Sequence, residues 1–295
     1  MSRKSIGIIG AGAVGTALAG LFLDAGHDIC GIATRTPSSL EKHLSLLDLP
    51  SEHGFSGPGS WCSAADLLFI TVPDDQISGV ADHIAGKELL SDDTLSVHCS
   101  GAHTAEQLLA PLEDPSRDLS IGSFHPLQTI PDPESGMQSI PGARVAVEGA
   151  PEVCSELASL AEQIGTRPFV IPPDRKDLYH AAAVFASNHL ISVLSVAAEL
   201  MREATDDEVD PLEALKPLID ASVSNAVNDS PESALTGPAA RGDEDTIDAH
   251  RSSIEEVDGD YVELYVELTN HCLEIARRRG DLSKELVDRL RSRFN

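Results

Sequence analysis

Ile6-Gly7-Ile8-Ile9-Gly10-Ala11-Gly12-Ala13-Val14-Gly15, with a helical pattern from Thr16 to Ala25 and Gly26 behind it, decides the reading of the fold. An apolar run ends at Gly10, a Gly-x-Gly-x-x-Gly follows, and a helix pattern begins. Strand, tight turn and helix are the context in which that spacing means dinucleotide binding. Gly10 makes the turn, Gly12 lets a pyrophosphate approach the backbone, and Gly15 lets the helix pack on the strand. The N–H groups and dipole at the helix start, around Ala13 and Val14, then face the phosphates. A secretory signal is the rival reading, because Arg3 and Lys4 precede the apolar stretch and Ala17-Leu18-Ala19 mimics a cleavage site. Three glycines at the fingerprint spacing disfavour that helix, and Asp28 to Ala33 reads as the second strand of a βαβ unit.

The end of that second strand sets the cofactor. An NAD or FAD site usually places Asp or Glu there, about twenty residues past the fingerprint, on the ribose 2′-hydroxyl. Here the chain reads Thr34-Arg35-Thr36-Pro37-Ser38-Ser39, with no carboxylate. A guanidinium among hydroxyls suits a 2′-phosphate, so NADP is the expected cofactor. Val72-Pro73, at the end of a later strand, is expected to complete the cofactor site.

A length of 295 residues allows about two domains. Hydrophobic residues are 41% of the chain, which is globular composition. The net charge of −27 argues against nucleic acid, since nothing here neutralises a run of phosphates. The acidic residues are scattered, as on the solvated surface of a salt-adapted protein. Five cysteines, odd in number and without Cys-x-x-Cys, read as reduced, structural and cytoplasmic. The apolar stretch from Ala181 to Ala198 carries Ser187, Asn188, His189, Ser192 and Ser195, which reads as too polar for a good membrane span.

The first half alternates strands (66–73, 94–99, 119–124, 143–147, 167–171) with helices (75–85, 104–112, 151–164). That alternation implies a parallel, doubly wound sheet, with ligands beyond the carboxyl ends of the strands. Pro172-Pro173 punctuates the chain, and helices alone follow. The expected fold is therefore an α/β doubly wound Rossmann domain over residues 1–172, then an all-α domain over 173–295. The first long helix, Asp174 to about Ala204, is apolar on nearly every face and is expected to be buried.

Candidate chemistry concentrates on that helix. At about 100° per residue, Lys176, His180 and Ser187 share a narrow face, with Asn188 further round. A lysine or histidine there would donate a proton as hydride arrives. The bland alternative is a hydrogen-bonded core histidine and a surface lysine. His125, in Phe124-His125-Pro126, follows a strand on the cofactor side, and Ser100 follows another. Arg241, in Thr236-Gly237-Pro238-Ala239-Ala240-Arg241-Gly242-Asp243, is a candidate for a substrate carboxylate, with Asp243 as a helix N-cap. Eleven histidines form no His-x-x-x-His or Cys/His cluster, so no metal site is expected.

Several of these segments carry a family resemblance: Gly10 to Gly15, Val72-Pro73-Asp74, His98-Cys99-Ser100-Gly101, Phe124 to Thr129, Tyr179-His180-Ala181-Ala182-Ala183 through Asn188, and Leu235 to Asp243. The chain resembles the Rossmann-like oxidoreductases that carry a C-terminal helical domain of unknown function. It is similar, more distantly, to pyrroline-5-carboxylate reductase, ketopantoate reductase and the 6-phosphogluconate/3-hydroxyisobutyrate dehydrogenases. The resemblance implies an NADP-dependent oxidoreductase without an assigned substrate. The β-hydroxyacid dehydrogenases use a Lys and, one turn later, an Asn. Here Lys176 takes the first slot, His180 the second, and Asn188 lies two turns on, which leaves the proton donor open between Lys176 and His180.

The resulting expectation is hydride transfer to or from a small carbonyl or imine compound. Lys176, His180, Asn188 and His125 are its catalytic candidates; Ser187, Arg241 and Ser100 are its substrate-binding ones. An imine reductase of the pyrroline-5-carboxylate type is an alternative, as is an NADPH-binding sensor or scaffold without turnover. The long apolar helices, and pairing in related dehydrogenases, suggest a homodimer through the helical half, with neither nucleic acid nor membrane as partner.

Overall fold

A computed structural model describes residues 3–205 and 207–294. The chain divides into two compact units, Met1–Ser187 and Asn188–Asn295. That division falls past Pro172-Pro173, because the helix that follows the prolines keeps its first turns against the sheet.

Among the described residues of the first unit, the strands are β1 (Ser5–Ile9), β2 (Asp28–Ala33), β3 (Gly54–Phe55), β4 (Leu67–Ile70), β5 (Leu95–His98), β6 (Ser120–Leu127), β7 (Arg144–Gly149) and β8 (Arg167–Val170). The helices are α1 (Ala13–Asp24), α2 (Pro37–Leu46), α3 (Asp74–Gly86), α4 (Ala105–Leu109), α5 (Pro133–Ser139), α6 (Pro151–Gln163) and α7 (Lys176–Val184). One sheet runs in the order β3-β2-β1-β4-β5-β6-β7-β8. From β1 the chain moves outward to β2, then returns to place β4 on the other side of β1. The crevice above β1 and β4 is thus the switch point at which doubly wound sheets bind ligands. β1 and β4 read as continuous apolar runs because both faces are covered: Ile6, Ile8, Leu68, Phe69 and Ile70 are fully excluded from water. Phe22, Phe69 and Phe124 meet edge-on or tilted between α1 and the sheet.

Two expectations about the sheet need correction. It is parallel except that β7 runs antiparallel to β6, since the connection returns at the edge where β6 ends. His125 also lies inside a strand rather than beyond one. Within β6 only Ser120–Ser123 pair with β5, so Phe124–Leu127 ladder with β7 alone. Pro126, opposite Val145, therefore lacks an N–H only where the strand has one neighbour, which is where a sheet tolerates proline.

The second unit is helical: α8 (Leu190–Thr205), α9 (Pro211–Asn228), α10 (Pro231–Ala234), α11 (Pro238–Arg241), α12 (Glu244–Val257), α13 (Gly259–Arg279) and α14 (Lys284–Phe294). Its core gathers Ile247, Val266, Leu273, Ala276, Val287 and Leu290. The Gly/Pro segment from Leu235 to Asp243 holds one single-turn helix, α11, and a second, α10, precedes it. Asp243 is an N-cap, accepting from Thr246 N–H at 3.2 Å.

The expected burial of the long apolar helix does not hold. Leu178, Phe185 and Ile191 are 68%, 69% and 62% exposed. Apolarity on every face calls for a covering surface, and the described residues leave these side chains open. Lys176 alone on α7 is buried. Between α7 and α8, Phe185–His189 widens to a π-helical turn, a feature frequent at functional sites. By length and composition the run Pro173–Thr205 also holds an 18-residue window apolar enough to cross a membrane, at a mean hydropathy of 1.6, contrary to the sequence reading. Its first turns are nonetheless held against the sheet by Lys176 and Tyr179.

Candidate active site

The glycine loop shapes a cleft of about 540 Å³ at the switch point, lined by Gly10, Gly12, Thr34, Arg35, Val72 and Pro73 among others. Gly10 has φ +105°, and a Cβ there would stand 2.6 Å from Val72 N, so the turn requires glycine. At Gly12 a Cβ would meet nothing nearer than 4.0 Å, so the space it would enter is open. At Gly15 it would stand 2.3 Å from Thr71 Oγ1, as expected of close helix–strand packing. Gly12 is the N-cap of α1 and offers no side-chain cap, and α1 has no acidic residue in its first turn. Its N–H groups thus suit an anion. Arg35 is exposed and makes no ion pair among the described residues. Open space at Gly12, an uncapped helix and an unneutralised guanidinium on one cleft fit a phosphorylated dinucleotide.

Ala13, Val14 and Thr36 do not line the cleft; the first two begin α1, and Thr36 is the N-cap of α2. The far wall is Ser56-Gly57-Pro58. Sequence reasoning missed it, because no motif marks it. Trp61 places it by donating from Nε1 to the Gly57 carbonyl at 3.0 Å while stacking on Phe55 at 4.9 Å.

The second group of candidates gathers at the same edge of the sheet, along β5 and β6. In-register pairing sets Ile70, His98 and Ser123 side by side, so β6 lies about 10 Å from β4 at this edge. His98 is fully buried, and burial above all pushes its pKa down to about 3, with the Lys176 charge adding. Its Nδ1 accepts the Ser100 N–H at 3.0 Å. Ser100 donates its hydroxyl to Asp74 at 2.7 Å and accepts from Ala102 N–H and His103 N–H. It therefore holds its own loop, which contrasts with the substrate-binding role expected of it.

Lys176 is 1% exposed and pairs with Glu148 at 3.1 Å, donating also to Ser123. The surface-lysine alternative is thus excluded. Burial lowers its pKa, and Glu148 opposes that shift. Glu148 in turn accepts the Ala105 N–H at the start of α4 at 2.9 Å. With its partners in place, this ammonium ties α7 to β6, β7 and α4.

His125 and His180 flank Gly101, their ring centroids 6.4 Å apart. A Cβ on Gly101 would stand 2.8 Å from both His125 Nε2 and His180 Cδ2. Tyr179, which sequence reasoning did not single out, bonds His125 Nδ1 at 2.6 Å. Burial pushes His125 down to about 4, with His180 and Lys176 adding and Asp74 opposing, and pushes Tyr179 up to about 12. Ser187, on the π turn, donates to the Ala183 carbonyl at 2.8 Å. Asn188 begins the second unit. In that unit Arg241 faces Asp243 at 4.0 Å and lines a separate cleft with Arg279 and Asp281.

Fold and cleft together define a protein of the Rossmann-like, dinucleotide-binding class. The chain joins a Rossmann-like domain, matched over residues 1–121, to a domain of unknown function, DUF2520, matched over residues 143–272. No curated protein matches it. Among solved structures it is similar to an NADP oxidoreductase candidate from Bacteroides fragilis, at 23% identity and TM-score 0.73, covering 92% of this chain and 98% of that one. It is similar to protein TM1727 from Thermotoga maritima, at 25% identity and TM-score 0.70, covering 93% and 99%. An imine reductase from Myxococcus stipitatus bound to NADP+ shares the fold at 13% identity and TM-score 0.62, covering 97% and 99%. The chain has the fold of NAD(P)-dependent oxidoreductases.

Proposed function

We propose that this protein is an NADP(H)-dependent oxidoreductase acting on a small carbonyl or imine compound. The observation that carries the reading is Arg35, exposed and without an ion pair among the described residues, on the cleft that Gly10 and Gly12 form. In a chain of net charge −27, a guanidinium left without a carboxylate suits a phosphate. Gly12 and the N–H groups at the start of α1 would hold the diphosphate, Thr34 and Arg35 the 2′-phosphate, and Val72 and Pro73 would form the wall. When bound, the nicotinamide exchanges hydride with the substrate carbon.

The proton side of the reaction falls to His125 and His180, whose rings lie against Gly101. Lys176 acts as a positioning residue, because its ammonium is enclosed by Ser123 and Glu148. Ser187, on the π turn that follows α7, orients the substrate in this reading. The test is NADPH oxidation against a panel of aldehydes, 2-oxo acids and cyclic imines. Turnover with one class supports the enzyme, whereas binding without turnover favours the sensor or scaffold.

The protein works as a homodimer in this reading. Leu178, Phe185 and Ile191 leave a run of apolar surface that calls for cover. The apolar window there holds at most two charged residues, so two copies can meet without opposing their acidic surfaces. The free cysteines among the described residues fit a reducing, cytoplasmic setting.

A further inference from the structure

We propose that Tyr179 and His125 act as a proton-delivery pair: His125 Nε2–H protonates the substrate oxygen or nitrogen, and Tyr179 refills His125 through Nδ1. The pair rests on the reductase reading above and adds to it a residue and a direction of proton flow.

The geometry comes from two elements that meet only in the fold. His125 is held in the β6–β7 ladder opposite Ala146, and Pro126 restricts its backbone to extended conformations. Tyr179 comes from α7, and its oxygen lies 2.6 Å from His125 Nδ1. The rings meet edge-on, 86° apart in plane and 5.6 Å between centroids. Phe169 of β8 packs against the tyrosine ring at 5.8 Å. With the phenol donating to Nδ1, the ring proton sits on Nε2. Nε2 has no hydrogen-bond partner among the described residues and faces Gly101, where even one methyl group would stand 2.8 Å away. Glycine at 101 thus keeps a side chain off that nitrogen.

The chemistry explains why the pair is needed. At neutral pH His125 is uncharged, because burial, His180 and Lys176 outweigh Asp74. An uncharged imidazole that gave up Nε2–H alone would become imidazolate, a very strong base. Transfer of the phenol proton to Nδ1 in the same step leaves a phenolate instead, the weaker base. In the reducing direction the C=O or C=N carbon gains hydride from the nicotinamide, and the heteroatom gains the Nε2 proton. Nδ1 gains the Tyr179 proton, and solvent reprotonates the half-buried phenolate. One hydride and one proton are consumed in all, and oxidation runs the same path backwards.

The test compares wild type with Tyr179→Phe and, as a second variant, His125→Gln. Thermal melts and NADPH titration first establish that each is folded and loaded. In ligand-free protein, nitrogen-15 spectra should show His125 as the Nε2–H tautomer in wild type and as a mixture in Tyr179→Phe. On the most active compound of the panel, Tyr179→Phe should lower kcat about 10- to 10³-fold. KM for that compound and NADPH affinity should stay unchanged. Wild-type kcat should be level from about pH 6 to 8, and the variant's should fall as pH rises, because solvent must supply the proton. His125→Gln should lose at least as much. An Nδ1–H tautomer in wild type, or a Tyr179→Phe enzyme with wild-type kcat and pH profile, overturns the pair and leaves the reductase reading standing. NADPH binding with no turnover by wild type on any compound overturns that reading and the pair with it.

Discussion

Lys176 and Glu148 form an ion pair 3.1 Å long with 1% and 5% of their side chains exposed, and the pair ties the first turn of α7 to the sheet. Removing one partner leaves the other charge buried, which costs about 3–5 kcal/mol. Lys176→Met should therefore destabilise the protein by that amount in a denaturant titration. Lys176→Met/Glu148→Gln should recover part of the loss, because a neutral amide can still accept the Ala105 N–H. A single variant costing under about 1 kcal/mol, the usual worth of an exposed pair, would contradict the structural role.

Gly12→Ala should separate cofactor binding from folding. Its Cβ would meet no atom closer than 4.0 Å, so the melting temperature should move by only a few degrees, as for a change below about 1 kcal/mol. A methyl group in the open space beside the helix start should weaken dinucleotide binding at least about tenfold, or 1.4 kcal/mol. Unchanged affinity would show that the phosphates lie elsewhere.

His98 should make part of the protein's acid sensitivity. Burial holds its folded pKa at about 3, below the unfolded value of about 6.5. Between those values the unfolded chain binds the extra proton, so stability is present above about pH 6.5 and is lost as pH falls toward 3. His125, at about 4, acts in the same direction. Between about pH 6.5 and 4.5, His98→Asn should lose roughly 2 kcal/mol less than wild type. Parallel pH curves for the two would contradict this. The comparison with wild type cancels the titration of the 48 acidic residues.

Sedimentation equilibrium at micromolar concentration and moderate salt should give a dimer, and a monomer there would count against the homodimer. The salt matters because self-repulsion at a net charge of −27 opposes association in dilute buffer.

The parts of this molecule legible in its sequence are those written locally. β2 runs from Asp28 to Ala33 as read, because a short apolar run between Gly26 and Thr34 has few alternatives. The Gly10–Gly15 loop is legible because turn, approach and packing each require glycine at a fixed spacing. Ser56-Gly57-Pro58 was not legible, since its position depends on Trp61 stacking on Phe55. Tyr179 and His125 are 54 residues apart, and only the fold of α7 onto β6 brings them together. Lys176 shares a helix face with His180 on paper. In the structure one is enclosed beside Glu148 and the other lies against Gly101. The exposed apolar helix shows the limit from the other side: apolarity predicts that a surface is covered, and not by which chain.

The central claim is tested most directly by titrating NADPH and NADH into wild type and Arg35→Ala by calorimetry, with the single Trp61 near the cleft as a fluorescent reporter. NADPH should bind wild type at least about tenfold more tightly than NADH. Arg35→Ala should lose roughly 1.5–3 kcal/mol for NADPH, as for a hydrogen bond to a charged group, and little for NADH. Equal wild-type affinity for the two dinucleotides, or no binding of either, would contradict the claim.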